Sequence, residues 1–160
     1  MSRSVIWVSQ LIVNYLGAKQ TQNYLNKFNY GNQSLNGDIN NFWLTGGSIK
    51  VSAKEQVRFL SNLWSGKFSI HRKTLQLTKD ATYIHTIKTN KFYGKTGTGC
   101  LDKGCTSKLG RELGCFVGIY EGKGQSFAFA LNFSEKKSLN GYAGLAAKDT
   151  VQRYFEKFNL

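Results

Sequence analysis

Two apolar, aromatic segments joined by a short turn constrain the fold of this sequence more than any other feature. Leu113–Glu121 and Gln125–Phe133 flank the turn EGKGQ. Runs of this kind around a short glycine-containing turn predict an antiparallel hairpin. A further strand is predicted over Lys91–Thr96, within the letters KFYGKT. The chain is therefore expected to build an antiparallel sheet.

Helical patterns lie on both sides of these strands. The chain has no proline, so helix ends must be set by glycines and capping residues. The first predicted helix begins at Ser4, ends at Gly17 and is apolar nearly all round, so it is expected to be buried. The other predicted helices are Ala18–Phe28, a helix that follows the Ser52–Glu55 capping box, Ser69–Ala81 and Tyr142–Phe158.

The order of helices, three strands and a closing helix predicts an α+β fold in which helices cover an antiparallel sheet. At 160 residues the chain is expected to form a single domain over 1–160. No apolar run approaches the ~18–20 residues that a membrane-spanning helix needs. The start, MSRSVIWVSQ, lacks the pattern of a secretion signal.

The net charge of +13 raises the possibility of a nucleic-acid partner. Of the 22 basic residues, 17 are lysines, whereas arginine reads bases and phosphates better. The only compact basic pairs are Arg72-Lys73 and Lys136-Lys137, and neither forms a stripe. The pattern favours a solvated basic surface over a nucleic-acid interface.

The three cysteines, Cys100, Cys105 and Cys115, do not have the spacing of a metal site. Zinc sites use paired ligands with histidines nearby, whereas His71 and His85 are neither paired nor close in sequence. No metal is predicted. Cys100 and Cys105 either bridge a loop or remain thiols, and the odd number of cysteines favours thiols.

The segment from Asn29 to Ser48 is rich in Asn, Gly, Gln and Ser and is interrupted by Phe42-Trp43-Leu44. A long loop held by an aromatic residue is more often functional than idle. We expect Trp43 to be at least half buried and to anchor this loop.

Three short motifs follow one another in the sequence, SVI at 4–6, YGN at 30–32 and KTG at 95–97. With Trp43 in the intervening loop, the chain resembles the class D serine β-lactamases and the penicillin-recognising domains of transpeptidases and antibiotic sensors. The resemblance covers nearly the whole chain and extends from the YGN motif through the tryptophan loop into the next helix. It implies a β-lactamase/transpeptidase-like fold that lacks its N-terminal part.

The resemblance also implies a site for a β-lactam or a peptidoglycan-like ligand. Acylation of a strained amide needs a nucleophile, a proton shuttle and an oxyanion hole, and the ligand carboxylate needs a cation. The resemblance implies that Ser4 delivers a proton and that Lys95 serves as cation or proton relay. Thr96 and the close-approaching Gly97 would contact the ligand, and the amide of Thr98 would bind the oxyanion. Trp43 would donate a hydrogen bond to a carboxylated lysine, and Tyr30 and Asn32 would form the pocket floor. No separate cofactor is implied. Intact relatives are periplasmic or extracellular.

The chain departs from the family pattern at the nucleophile. In the family a serine, with the carboxylated lysine three residues later, lies upstream of the SxV motif, whereas only three residues precede Ser4 here. Three later sequences have similar spacing: Ser134 to Lys137, Cys100 to Lys103 and Cys105 to Lys108. All follow the KTG motif in polar or charged segments, where little would lower a lysine pKa. The chain alone is therefore expected to be inactive.

Two smaller departures concern the ligand. Ile6 replaces the valine of the SxV motif. The arginine that family members often place near the final helix has no clear counterpart, and Lys148 is a weak substitute.

The expected partners follow from the missing segment. The chain is either one half of a split enzyme that a separate N-terminal fragment completes, or a non-catalytic penicillin-recognising module. The family analogy also predicts that the Lys95 strand has an open edge flanked by Phe92 and Tyr93, which would favour self-association.

Overall fold

The computed structural model describes residues 5–101, 111–135 and 142–157. These residues form four helices and four strands, which confirms the predicted α+β class. In chain order the elements are α1 (Ile6–Lys27), α2 (Ala53–Trp64), α3 (Arg72–Thr82), β1 (Tyr83–Ile87), β2 (Asn90–Cys100), β3 (Glu112–Gly122), β4 (Gln125–Glu135) and α4 (Ala143–Lys157). None of the described helices is both long enough and apolar enough to cross a bilayer.

The four strands form an antiparallel sheet in the order β1-β2-β3-β4. The predicted hairpin is confirmed, since Gly122 pairs with Gln125 around a loop of Lys123 and Gly124. Both loop residues have positive φ, 48° and 75°. This backbone matches the twist of paired strands, and the glycine adopts it without steric cost.

Strand β1 is absent from the sequence-based prediction. It begins directly after α3, with no glycine between Thr82 and Tyr83 to mark a boundary. Its residues YIHTI contain the β-branched and aromatic types that favour a strand. The composition of this segment favoured a strand, but no turn residue separates it from α3, so the boundary between helix and strand was missed.

The predicted open edge of the Lys95 strand holds only beyond Tyr93, because β1 covers the flanking residues Phe92 and Tyr93. Tyr83 pairs with Tyr93, and His85 pairs with Phe92. The side chains of Phe92 and Tyr93 are 0% and 6% exposed. Among the described strands, the long strand with a single neighbour is β4, at the opposite side of the sheet.

The core lies between the sheet and α4. Aromatic residues of β2 and β3 pack against one side of the helix, and burial of each large side chain contributes roughly 1.5–3 kcal/mol. Helix α2 packs on the other face, across β3 and β4. The central cluster consists of Phe92, Phe116, Tyr120, Ala147, Val151 and Phe155.

The predicted capping box of α2 is confirmed. Ser52 Oγ accepts a hydrogen bond from the backbone N–H of Glu55, and the Glu55 carboxylate accepts one from the N–H of Ser52 at 2.7 Å. The two bonds satisfy backbone donors that a helix start leaves unpaired. α2 is thereby fixed at the end of the 29–48 loop.

Helix α1 has the predicted break but not the predicted burial. Its backbone breaks at Gly17, with φ 73° and ψ 166°, where the first predicted helix ends. The expected burial of the first half is wrong, because Trp7 and Leu11 are both 60% exposed. Gln10 and Asn14 bond to Asn40 in the loop, so this half lies against a polar segment. Ser4, its predicted cap, lies outside the described residues.

Candidate functional site

The candidate site is the edge of β2 that begins after Tyr93. The register of β1 with β2 ends at the Tyr83–Tyr93 pair, whereas β2 remains paired with β3 as far as Cys100. The KTG residues, 95–97, therefore belong to a stretch that β1 does not cover. An edge of this kind presents backbone N–H and C=O groups to a ligand.

Lys95 lies on this edge next to a cysteine that the sequence analysis did not assign to the site. Its Nζ donates a hydrogen bond to the carbonyl of Thr96 at 2.7 Å. Burial lowers the pKa of Lys95 from its ordinary value, and the charge of the Cys115 thiolate acts in the opposite direction. A partly buried lysine with a lowered pKa suits an anion site or a proton relay.

Cys115 faces Gly97 across the β2–β3 pair. Burial raises the pKa of the Cys115 thiol, while the Gly97 backbone and the Lys95 charge lower it. A Cβ added at Gly97 would lie 2.6 Å from Cys115 Sγ, so a larger residue here would displace the thiol. Only the pairing of β2 with β3, which the sequence did not predict, brings this thiol to Lys95.

The two threonines of the motif region lie on the other face of β2. Thr98 Oγ1 accepts a hydrogen bond from the backbone N–H of Gly144, at the start of α4, at 2.9 Å. Thr96 pairs with Phe116 of the core, and side chains alternate along a strand. Lys95 and Thr96 can therefore serve one ligand only at the strand edge, where both faces meet.

The first turn of α4 packs closely against the KTG strand. A Cβ at Gly144 would lie 2.7 Å from the carbonyl oxygen of Gly97. A side chain at this position would push the helix away from the strand. Lys148, the weak substitute for the family arginine, lies four residues later in the same helix.

The 29–48 loop reaches β2 through Thr45. A Cβ added at Gly99 would overlap Thr45 Oγ1, so a larger residue here would displace the Thr45 side chain. Trp43 is more than half buried, as predicted, and its ring lies edge-on to Phe42 with centroids 5.1 Å apart. Phe42, only 8% exposed, is the deeper anchor, and its carbonyl accepts the N–H of Ile49.

Tyr30 and Asn32 organise the base of this loop. The Tyr30 hydroxyl accepts a hydrogen bond from Gln56 Nε2 at 2.9 Å. Burial raises the pKa of Tyr30, the Gln56 bond lowers it, and the nearby Cys115 charge raises it again. Asn32 joins the two ends of the loop, donating to Ser48 O and accepting from Lys50 N. Their contact with a ligand stays a prediction.

The cysteine prediction is wrong at Cys100, which is disulfide-bonded, whereas Cys115 is a free thiol. Cys105, Lys103, Lys108 and Lys137 lie outside the described residues. Neither histidine belongs to this site: His71 caps α3, and His85 contacts Gln152. In the described ranges no group of three or more His, Cys, Asp or Glu residues could hold a metal ion.

A separate cavity of about 520 Å³ lies between the first half of α1 and the 29–48 loop. The residues of the β2 edge do not line it. Five of its seven lining residues are polar. The seven are Trp7, Gln10, Leu11, Asn14, Asp38, Asn40 and Asn41.

Comparison with known proteins agrees with the motif order. The family of the penicillin-binding protein transpeptidase domain matches residues 1–156. Beta-lactamase OXA-1 of Escherichia coli is 29% identical over 168 residues, covering 100% of this chain and 59% of that enzyme. The methicillin resistance mecR1 protein of Staphylococcus aureus is 29% identical over 157 residues, covering 98% of this chain and 25% of that protein.

Structural comparison gives the same family. The crystal structure of the OXA-427 class D β-lactamase matches with a TM-score of 0.87 and 33% identity, covering 98% of this chain and 67% of that chain. In the sequence comparison, the chain spans 59% of the length of the OXA-1 enzyme. On its sequence, its motifs and its fold, the chain belongs to the penicillin-binding protein transpeptidase domain family and resembles the class D β-lactamases within it.

Proposed function

We propose that these 160 residues recognise a β-lactam at the edge of β2. The observation that carries the proposal is the end of the β1 register at Tyr93, just before Lys95-Thr96-Gly97. A penicillin carries a carboxylate and a carbonyl, which require a cation and backbone donors. The β2 edge supplies both within one short stretch.

In the proposed complex the ammonium group of Lys95 binds the ligand carboxylate, and the Thr96 hydroxyl contacts it from the other face of the strand. Gly97 lets the ligand approach the backbone, and the N–H of Thr98 polarises the β-lactam carbonyl. Trp43 closes the far side of the site from the loop. Ser4 keeps its role in proton delivery as a prediction.

Acylation is a separate matter from recognition. The 160 residues contain no Ser-x-x-Lys ahead of the SVI motif. A serine nucleophile must lie within hydrogen-bonding reach of its base. We therefore expect covalent chemistry only when a Ser-x-x-Lys segment is supplied from elsewhere, in the same polypeptide or as a separate fragment.

A receptor role is the second candidate, since a methicillin resistance mecR1 protein is as similar to this chain as a β-lactamase. The two roles differ after acylation. A β-lactamase releases the acyl group to water, whereas a receptor retains it. The lifetime of the acyl group in a complemented chain distinguishes them.

Recognition is tested by titrating the 15N-labelled chain with benzylpenicillin and following backbone amide shifts. We expect the largest shifts at residues 95–98. Lys95→Ala should weaken binding roughly tenfold or more, because a charge-assisted hydrogen bond contributes about 1.5–3 kcal/mol.

Lys91→Ala is the matched control. It removes a lysine from the same strand, but at a position paired with Thr86 of β1. We expect this variant to bind benzylpenicillin like the unmodified chain. Equal weakening by the two variants would mean that the net charge, rather than the β2 edge, attracts the ligand, and the proposal would fail.

A further inference from the structure

Helix α3 passes directly into β1, and the position of this junction determines how much of β2 is covered by β1. Thr82 ends the helix, and the next residue begins the strand and pairs with Tyr93 of β2. Continuing β1 backwards in this register would place Asp80 opposite Thr96, within the KTG motif. β1 therefore leaves the motif uncovered because residues 80–82 are helical.

The last turn of α3, KDAT at 79–82, has little local tendency to be helical. Thr82 is β-branched, a type that favours strands, and Asp80 places a negative charge where the helix dipole favours a positive one. The Thr82 hydroxyl donates to the carbonyl of Thr78 at 2.7 Å, but such a bond does not strengthen a helix. The helical state of this turn therefore depends on contacts with the rest of the fold.

Lys79, in this turn, joins the helix to the sheet. Its Nζ donates a hydrogen bond to Glu121 Oε1 at 3.0 Å and lies over the Trp64 ring, 4.9 Å from the ring centroid. The side chains of Lys79 and Glu121 are only 22% and 30% exposed. A cation held by a carboxylate and an indole face, and partly shielded from water, is bound more strongly than one in an exposed ion pair.

Glu121 is linked in turn to Tyr93, the last β2 residue that β1 covers. Both side chains lie on the same face of the sheet. Burial by itself would raise the pKa of Glu121, but the hydrogen bond and charge of Lys79 lower it below its ordinary value. Burial and the Glu121 carboxylate raise the pKa of Tyr93 to about 12. The Tyr93 ring also packs edge-on against Trp64 and Tyr83, with centroids 5.2 and 5.8 Å apart.

We propose that Lys79 and Glu121 are positioning residues of the β2 edge, and that their ion pair keeps residues 80–82 helical and so prevents β1 from extending over residues 95–97. Neither residue is among the proposed ligand contacts. Without the pair, the backbone groups that a ligand needs would pair with β1 instead. The effect on a ligand rests on the proposed β-lactam site, whereas the effect on β1 does not.

The amide of Thr96 indicates whether β1 has extended. A two-residue loop joins β1 to β2, and the pair that closes such a loop, here Ile87 with Asn90, is hydrogen-bonded. Hydrogen-bonded positions alternate along a strand, so the N–H groups of the even-numbered residues of β2 point toward β1. In an extended β1, the N–H of Thr96 would donate to the carbonyl of Asp80.

The test uses the intact 15N-labelled chain and its Lys79→Met variant, which removes the charge and keeps most of the aliphatic stem. Hydrogen exchange at Thr96 and affinity for benzylpenicillin are both measured. We expect exchange at Thr96 to slow roughly three- to tenfold, the shift expected from loss of a partly buried ion pair and a cation–π contact. The affinity should fall by the same factor, because exchange and binding both require the open edge.

Three further variants make the result specific. Lys79→Arg keeps the charge and should behave like the unmodified chain. Lys73→Met removes a charge from an exposed position of the same helix and should change neither quantity. Glu121→Gln breaks the pair from the other side and should reproduce Lys79→Met, so the proposal stays testable if one of these two variants does not fold.

Faster exchange throughout β1 in Lys79→Met, without slowing at Thr96, would show that the pair only stabilises the fold, and the proposal would fail. Unchanged exchange at Thr96 would overturn it as well. Slower exchange at Thr96 with unchanged affinity would contradict the role in positioning the site. If the unmodified chain does not bind benzylpenicillin, the proposed function fails, and the exchange measurement alone then decides whether the pair holds back β1.

Discussion

Helices α4 and α1 carry similar apolar side chains and use them in opposite ways. Ala143, Ala147, Val151 and Phe155 of α4 are all buried against the sheet. In the first half of α1, Ile12 and Tyr15 are 51% and 93% exposed. The buried apolar residues of α4 lie on one side, although Leu145 and Tyr154 on its outer side are 52% and 55% exposed, whereas the apolar residues of the first half of α1 surround the helix.

The difference shows that apolar composition predicts burial only when another element is available to pack against. Helix α4 has the aromatic residues of β2 and β3 beneath it. In the second half of α1, Thr21 and Leu25 are buried. Within residues 5–101, 111–135 and 142–157 the first half contacts the polar loop, and its exposed apolar residues contribute little to the stability of these 160 residues.

The largest predicted effect contrasts the two helices directly. Phe155→Ala removes a ring that stacks on Tyr120 at 4.5 Å and should lower the free energy of unfolding by about 3–5 kcal/mol. Leu11→Ala, at a position that is 60% exposed, should change it by less than about 0.5 kcal/mol. Urea unfolding of both variants measures the difference, and similar losses would show that the first half of α1 is packed.

Two glycines with positive φ test the same contrast in the backbone. A Cβ at Gly31 would lie 2.2 Å from Lys50 O, whereas a Cβ at Gly17 meets nothing within 4 Å. Gly31→Ala should therefore destabilise the chain by roughly 3 kcal/mol or more. Gly17→Ala should cost less, about 1–3 kcal/mol, because its φ of 73° strains an alanine but no atom lies within 4 Å of the added Cβ. Equal losses in thermal unfolding would contradict this account of α1.

The loop anchor gives a smaller effect. Phe42 is nearly fully buried, and Trp43 only partly. Limited proteolysis within residues 29–48 should accelerate in both alanine variants, and more in Phe42→Ala than in Trp43→Ala. Unchanged cleavage in Phe42→Ala would show that the hydrogen bonds of Asn32 hold the loop alone.

The smallest effect is the pH dependence that Lys95 contributes. Burial lowers its pKa in the folded chain below the ordinary value of 10.5, so the unfolded chain binds more protons between the two values. Stability should therefore rise with pH across that window. Lys95→Met should remove this rise, whereas Lys91→Met should retain it. Parallel stability–pH curves for the two variants would contradict the shift.

The sequence predicted local features well and non-local features poorly. The capping box at Ser52, the break at Gly17 and the hairpin around Lys123-Gly124 follow from neighbouring residues. The covering of Phe92 by β1 and the exposure of the first half of α1 depend on which strands and helices pack together. A single sequence carries little information about which distant elements pack together.

The candidate site shows the same division. The KTG motif and the aromatic loop led to the prediction of Lys95 and Trp43 as site residues from short patterns, and their contact with a ligand stays a prediction. The position of Cys115 beside Lys95, and the contact of Thr45 with Gly99, require the register of β2 with β3 and the path of the loop. The glycines at 97 and 99 indicated that another part of the chain approaches β2 closely, but they did not indicate which residue does so.

Recognition of a β-lactam and acylation by it are separate properties of this chain in our proposal, and the intact mass after incubation with the ligand distinguishes them. The chain is incubated with excess benzylpenicillin, at a concentration that shifts the amides of residues 95–98, and its intact mass is then recorded. We predict an unmodified mass, because the proposed cation and backbone donors at 95–98 include no nucleophile and no Ser-x-x-Lys precedes the SVI motif. A mass increased by one penicillin, mapped to Ser4, Ser134 or Cys115, would contradict it.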